Sequence, residues 1–202
     1  MDATDGAGHA LISDTDGEVR MIRGELVDLR SIERTDAPTV HGWLNDPAVM
    51  RGWGHSAAAT SQAEVQRLLE GWLEEERVQG RPSALIIDAP TGDALGLIVL
   101  RSGRPEVREV ELSLLIGDAE RWGQGLGTDA VQTVLDACFG GWNLHRVWLR
   151  SETWNVRAHR LYERCGFRQE GVLRQAAFLD GRYEDVVLFG LLAEEWAQAS
   201  DE

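Results

Sequence analysis

The chain has 202 residues, room for one domain with a sizeable core but not for two ordinary ones. It contains no lysine, so 20 arginines face 34 acidic residues for a formal charge of −14, which argues against nucleic acid as a partner and weakly suits a cationic one. No window reaches the roughly 18 consecutive apolar residues of a membrane span, and the two cysteines, Cys138 and Cys165, lack metal-ligand spacing, which argues against both a disulfide scaffold and a zinc module.

Residues 1–20 are small, polar and acidic, without the basic start and apolar stretch of a secretory signal. They read as a mobile tail before a domain at 21–198, in a cytoplasmic protein. "GELVDLRSI" is the first strand. Thr35 or Asp36 then caps a short helix that carries Val40, Trp43 and Leu44 on one face and stops near Asp46-Pro47, because the residue before proline resists the helical region. "MRGWGHSAAAT" reads as a loop. Ser61 and Glu64 form a capping box, and Val65, Leu68, Leu69, Trp72 and Leu73 recur at helical spacing until Gly80. "SALIIDA", the turn "PTGD" and "ALGLIVLRS" form an antiparallel hairpin, and "EVELSLLIGD" is a fourth strand.

"RWGQGLGTDA" at 121–130 follows, with glycines at every second position before a helix that carries Val131, Val134, Leu135 and Cys138 on one face. Short glycines there let a ligand approach the backbone, while the first amides of the helix point outward, an arrangement that favours phosphate. A Walker loop needs lysine and is excluded. Gly125, Gly127 and Ala130 match a dinucleotide turn, but the strands before them read as an antiparallel meander. Beyond the helix, "HRVWLRSE" is a fifth strand and "NVRAHRLYERC" a short helix closed by Gly166. Two last strands flank the hairpin pair Asp180-Gly181. The order predicts one α/β domain with a mixed, mostly antiparallel central sheet flanked by helices.

"RWGQGLGT" after "VELSLLIG", followed about thirty residues later by "SETWNVRAHRLYERCGF", resembles the GCN5-related N-acetyltransferases, within them the group acting on ribosomal-protein N-termini, some polyamines and some aminoglycosides. The resemblance implies that acetyl-coenzyme A lays its pyrophosphate on the amides of Gly123, Gln124, Gly125, Gly127 and Thr128, with Arg121 and Trp122 at the edge. The family commonly has Gln or Arg where this chain has Trp122. It further implies that pantetheine pairs with Leu115 and Ile116, whose backbone groups are freed by a bulge that splays the fourth and fifth strands.

Asn155, Ala158 and Tyr162 sit at i, i+3 and i+7 and share a helix face. The resemblance makes Asn155 a pantetheine contact, Ala158 a small residue permitting close approach, and Tyr162 the acid that protonates the thiolate; without it, Asn155 reads as an N-cap and Tyr162 as a packed aromatic. Strand alternation puts Glu109, Glu111 and Ser113 on one face, opposite Val110, Leu112 and Leu114. Glu111 is the candidate base, directly or through water, against the alternative of a solvated or arginine-paired residue. Cys138 and Cys165 read as packing residues, and His145 and His159 receive no role. In the family the acceptor site is built by the first two helices, their loop and the last hairpin, which nominates Trp53, His55 and Tyr183; Glu109, nearer the start of the fourth strand, is a less favoured base than Glu111 and a further candidate substrate contact. The expected activity is direct acetyl transfer to a primary amine of a peptide or small cation. A catalytically idle acyl-CoA sensor and an NAD-binding oxidoreductase stand as alternatives, and the family's frequent homodimerisation stays open. No nucleic acid, membrane or metal is expected.

Overall fold

A computed structural model describes residues 11–12, 21–53 and 59–200. Nine strands form one sheet in the order β1-β2-β3-β4-β5-β6-β7-β9-β8, and only the β6–β7 pair is parallel. The strands are β1 (Leu11–Ile12), β2 (Met21–Arg23), β3 (Asp28–Ser31), β4 (Ala84–Asp88), β5 (Ala94–Ser102), β6 (Glu109–Ile116), β7 (Arg146–Glu152), β8 (Arg168–Leu179) and β9 (Arg182–Leu192). The helices are α1 (Ala37–Leu44), α2 (Pro47–Gly52), α3 (Gln62–Gln79), α4 (Leu126–Asp136), α5 (Val156–Arg164) and α6 (Ala193–Ser200). This is the mixed, mostly antiparallel α/β architecture expected.

Alternation along the central strands makes the two faces of the sheet. Leu85, Ile87, Ile98 and Leu100 point into one cluster with Val131, Val134 and Leu135 of α4 and Tyr162 of α5. Their neighbours Ala84, Ile86, Leu97 and Val99 point into the other, with Val40 and Trp43 of α1, Met50 of α2 and Leu69 of α3. Period-two burial on both faces is what a central strand covered by helices requires. At the last hairpin Asp180 and Gly181 both have positive φ, 50 and 82°, which suits the two-residue turn predicted there.

Three boundaries differ from the sequence reading. The first strand begins only at Asp28, because residues 24–27 turn instead: Gly24 N bonds Val27 O at 2.9 Å, and the buried Asp129 carboxylate accepts from the amides of Glu25, Leu26 and Val27. Pro47 opens α2 rather than leading into a loop, since a missing N–H costs nothing at a first helical position and Asp46 accepts from Ala48 N and Val49 N. Finally, Leu11 and Ile12, within the segment read as a tail, pair with Ile22 and Met21 at the edge of the sheet.

The splayed strands are present, but no bulge makes them. The β5–β6 register runs unbroken from Gly96↔Ile116 to Ser102↔Val110, while β6 and β7 pair only from Glu109↔Arg146 to Glu111↔Trp148. Beyond Glu111 each strand stays bonded to its outer neighbour, β6 to β5 and β7 to β9 over its whole length. Their inner edges diverge, and the cleft opens between them.

Candidate active site

The glycine turn is shaped for an anion. Gly123 and Gly125 have φ of 81 and 88°, a region that costs an L side chain strain. Gly125 is the N-cap of α4, and the first intrahelical bond runs from Asp129 N to Gly125 O, so the amides of Leu126, Gly127 and Thr128 precede it. At Gly127 the constraint is packing: a Cβ would lie 2.9 Å from Leu161 Cδ1 and 3.3 Å from Leu114 Cδ2, so only glycine lets α4, α5 and β6 converge.

A cavity of about 360 Å³ lies over this turn, between β6 and α5. Of the residues expected to hold the cofactor, Leu115, Ile116, Arg121, Trp122, Gly123, Gly125, Gly127, Thr128, Asn155 and Ala158 line it. Gln124 does not; its side chain donates to Glu120 O at 3.3 Å. Arg157, Arg160 and Arg164 of α5 join Arg121 on the wall, and no carboxylate lines it. At i, i+3 and i+7 these three arginines share a helix face. Their spacing is present in the sequence, but arginines on one helix face read equally as a solvated surface until the fold places that face on the cleft.

Trp122 resolves the departure from the family pattern. Its Nε1 donates to Ile116 O at 3.1 Å, and the Arg157 guanidinium lies 3.9 Å from its ring centroid. The cation that the expected Gln or Arg position lacks is thus supplied from α5, on an indole platform. Burial lowers the pKa of Arg157 from its ordinary value. The pantetheine-pairing expectation shifts by one residue. Gly117 N bonds Leu95 O, so in the same register Leu115 spends its backbone groups on Leu97, and those of Leu114 and Ile116 turn to the cleft. Ile116 O is already taken by Trp122.

A second cavity, about 240 Å³, lies on the Glu111 side of the splay. The two cavities share Gly52, Trp53, Leu114, Asn155 and Tyr162 on their walls. Asn155 fastens this junction: its Oδ1 caps α5 by accepting from Ala158 N at 3.3 Å, and its Nδ2 donates across the gap to Gly52 O at 3.1 Å. Tyr162 is buried, edge-on to Phe167 at 6.0 Å and tilted against Phe189 at 5.9 Å. Burial above all, with the carboxylate charge of Glu152 adding to it, pushes its pKa above the ordinary tyrosine value, so the phenol keeps its proton. Burial likewise pushes the thiols of Cys138 and Cys165 up to about 12, which leaves both as thiols in the core rather than as nucleophiles.

Glu111 and Ser113 line the second cavity on the face that alternation predicted. Glu111 is arginine-paired: Arg150 Nε donates to its Oε1 at 2.8 Å. Glu152, absent from the sequence reading, is on the same face, because Glu111 pairs beside Trp148 and Arg150 and Glu152 follow at alternate positions. Its carboxylate makes no ion pair among the described residues, and its main-chain oxygen contacts His159 Nε2 at 3.0 Å. Glu109 lines neither cavity, since Arg104 and Arg146 hold it at 2.9 and 3.5 Å and lower its pKa. Tyr183 also lines neither; it is exposed at the hairpin and packs 5.0 Å from Phe178. Trp53 is both a cavity wall and a partner of the α1–α3 core. His55 lies outside the described residues.

A glycine turn beside a cleft lined by arginines, with a second cavity sharing the buried Tyr162, fits a coenzyme A-dependent acyltransferase. The acetyltransferase (GNAT) domain model matches residues 27–168, and the chain belongs to that family. It is 27% identical over 173 residues to the spermidine N(1)-acetyltransferase of Vibrio cholerae serotype O1, across 86% of this chain and 96% of that one. It is 29% identical over 156 residues to the aminoglycoside N(6')-acetyltransferase type 1 of Klebsiella pneumoniae, across 73% and 76%. A crystal structure of the Vibrio cholerae spermidine N-acetyltransferase in complex with CoA and spermine superposes with a TM-score of 0.76 at 26% identity, covering 85% of this chain and 98% of that one. The protein is an N-acetyltransferase that acts on amines and uses acetyl-CoA. Although α4 does connect two parallel strands, the NAD reading falls with this assignment, as does the idle sensor. Among the described residues no helix is long and apolar enough to cross a membrane.

Proposed function

We propose that the first cavity holds acetyl-CoA, that the second admits a primary amine of a peptide N-terminus or a small molecule, and that the reaction occurs where they meet. The junction of the two cavities at Tyr162 carries this reading. The cofactor supplies a thioester whose C–S bond breaks as the new N–C bond forms. The amides of Leu126, Gly127 and Thr128 bind its pyrophosphate with Arg121 and Arg157, and Arg160 and Arg164 extend the cationic wall. Asn155 holds α5 against α2 and keeps the junction open to both sides. The buried phenol of Tyr162 delivers a proton to the departing sulfur and is reprotonated from solvent.

An ammonium sheds one proton to become the attacking amine and a second from nitrogen as the amide forms; the first is taken up on the acceptor wall, and the second passes to solvent, offsetting the proton that Tyr162 regains. Glu111 was the sequence candidate, but its Oε1 already accepts from Arg150 Nε at 2.8 Å, so in this reading Glu152 takes the proton and Glu111 fixes Arg150 on the wall. Thiol release from acetyl-CoA, measured across N-terminal peptides, polyamines and aminoglycosides, tests the reading. Saturable release with at least one primary amine, and a matching acetylated product by mass spectrometry, are expected. Release with no amine would contradict it.

A further inference from the structure

The acceptor cavity is not acidic, in a chain of charge −14. Its charged lining residues are Arg101, Glu111, Arg150 and Glu152, two of each sign. Glu111 and Arg150 neutralise each other at 2.8 Å. The carboxylates of the neighbouring hairpin are committed too. Asp180 bonds Arg51 at 2.6 Å, Glu184 bonds Arg182 at 2.6 Å, and Asp185 accepts from Gln175 N at 2.7 Å. Of the four charged lining residues, Glu152 and Arg101 are the two without an ion pair among the described residues.

Arg101 is exposed and reaches across from β5, donating from Nη1 to Ser113 Oγ at 3.3 Å. Its guanidinium is thereby held at Ser113, on the wall of the cavity that Leu114 shares with the first one. Glu152 is at the end of β7, on the other side of the splay, and its charge acts on Tyr162. The wall thus offers one site for a cation, at Glu152, and one for an anion, at Arg101, in the same cavity. A polyamine would meet a single uncommitted carboxylate and an opposing arginine.

We infer that the acceptor is a primary amine that also carries a carboxylate, the amine held at Glu152 and the carboxylate read by Arg101. This deepens the acetyl-transfer reading and rests on it. A guanidinium–carboxylate contact is charge-assisted and exceeds the contact of the same guanidinium with a neutral isostere.

The test compares thiol release for two amidated tripeptides that differ only in Glu or Gln at the second residue, and for spermidine. The Glu peptide should exceed the Gln peptide by about 10-fold or more in kcat/KM, mostly through KM, with spermidine below both. In Arg101→Gln the Glu/Gln ratio should fall to about 2-fold or less, and in Arg101→Glu a peptide with Lys at the second residue should overtake the Glu peptide. Equal rates for the Glu and Gln peptides, spermidine as the best acceptor, or a preference that survives Arg101→Gln would each overturn the inference while leaving acetyl transfer intact. Thiol release with none of these or of the wider amine panel would instead overturn the acetyl-transfer reading, and this inference with it.

Discussion

At the scale of single residues, the two carboxylates of the acceptor wall divide according to what already touches them. Glu111 gives its Oε1 to Arg150, whereas Glu152 has no cationic partner among the described residues. Glu152→Gln should therefore lower kcat by about 100-fold or more, the usual size of a general-base contribution, and Glu111→Gln by about 10-fold or less. Steady-state kinetics of the two variants decide between them, and the reverse order would return the proton to Glu111. Tyr162 shows why residue type alone could not assign a role. A packed aromatic and a proposed proton donor are the same residue here: the ring is held by Phe167 and Phe189, and the burial that packs it also keeps the phenol protonated. Likewise Asn155 is an N-cap, as its position before "VRAH" indicated, and a cleft residue as well.

At the scale of elements, the glycine turn depends on a segment a hundred residues away. Asp129, in the first turns of α4, accepts three amides of the 24–27 turn, and that turn sets Leu26 beside Gly125, where a Cβ would come within 3.3 Å of Leu26 Cδ1. Asp129→Ala strands those amides and should cost about 2–4 kcal/mol of stability, read from the urea midpoint, and raise the acetyl-CoA Kd. An unchanged midpoint would show that water replaces the carboxylate. This tie was not legible in the sequence, because "GELVDL" alternates well enough to pass for a strand and Asp129 looked like an ordinary early-helix acid. The helices and strands with a clear period were legible: α3 from Ser61 to Gly80, the β4–β5 hairpin, and the α5 face of Asn155, Ala158 and Tyr162. Pro47 was misleading because the same residue that ends one helix can open another.

At the scale of the molecule, charge is segregated. A strongly acidic chain keeps carboxylates off the wall of one cavity and lines it with Arg121, Arg157, Arg160 and Arg164. Composition alone pointed to a cationic partner, and only the fold shows that the cleft has the opposite sign from the average. Since charges beyond about 8 Å are screened at physiological ionic strength, the local arginines outweigh the distributed acids. The acetyl-CoA Kd should therefore rise with sodium chloride. The double variant Arg160→Gln/Arg164→Gln should bind more weakly and show a flatter salt dependence, measured by titration calorimetry. A Kd that falls with added salt would mean that the net negative charge dominates instead.

Tyr162 is the proposed proton donor at the point where the two cavities meet. The measurement that tests it most directly pairs acetyl-CoA binding with turnover in Tyr162→Phe, a change that keeps the ring against Phe167 and Phe189 and removes only the hydroxyl. The variant is predicted to bind acetyl-CoA with a Kd within about 3-fold of the wild type while kcat falls by about 100-fold or more. Undiminished kcat would contradict the assignment and place the acid elsewhere.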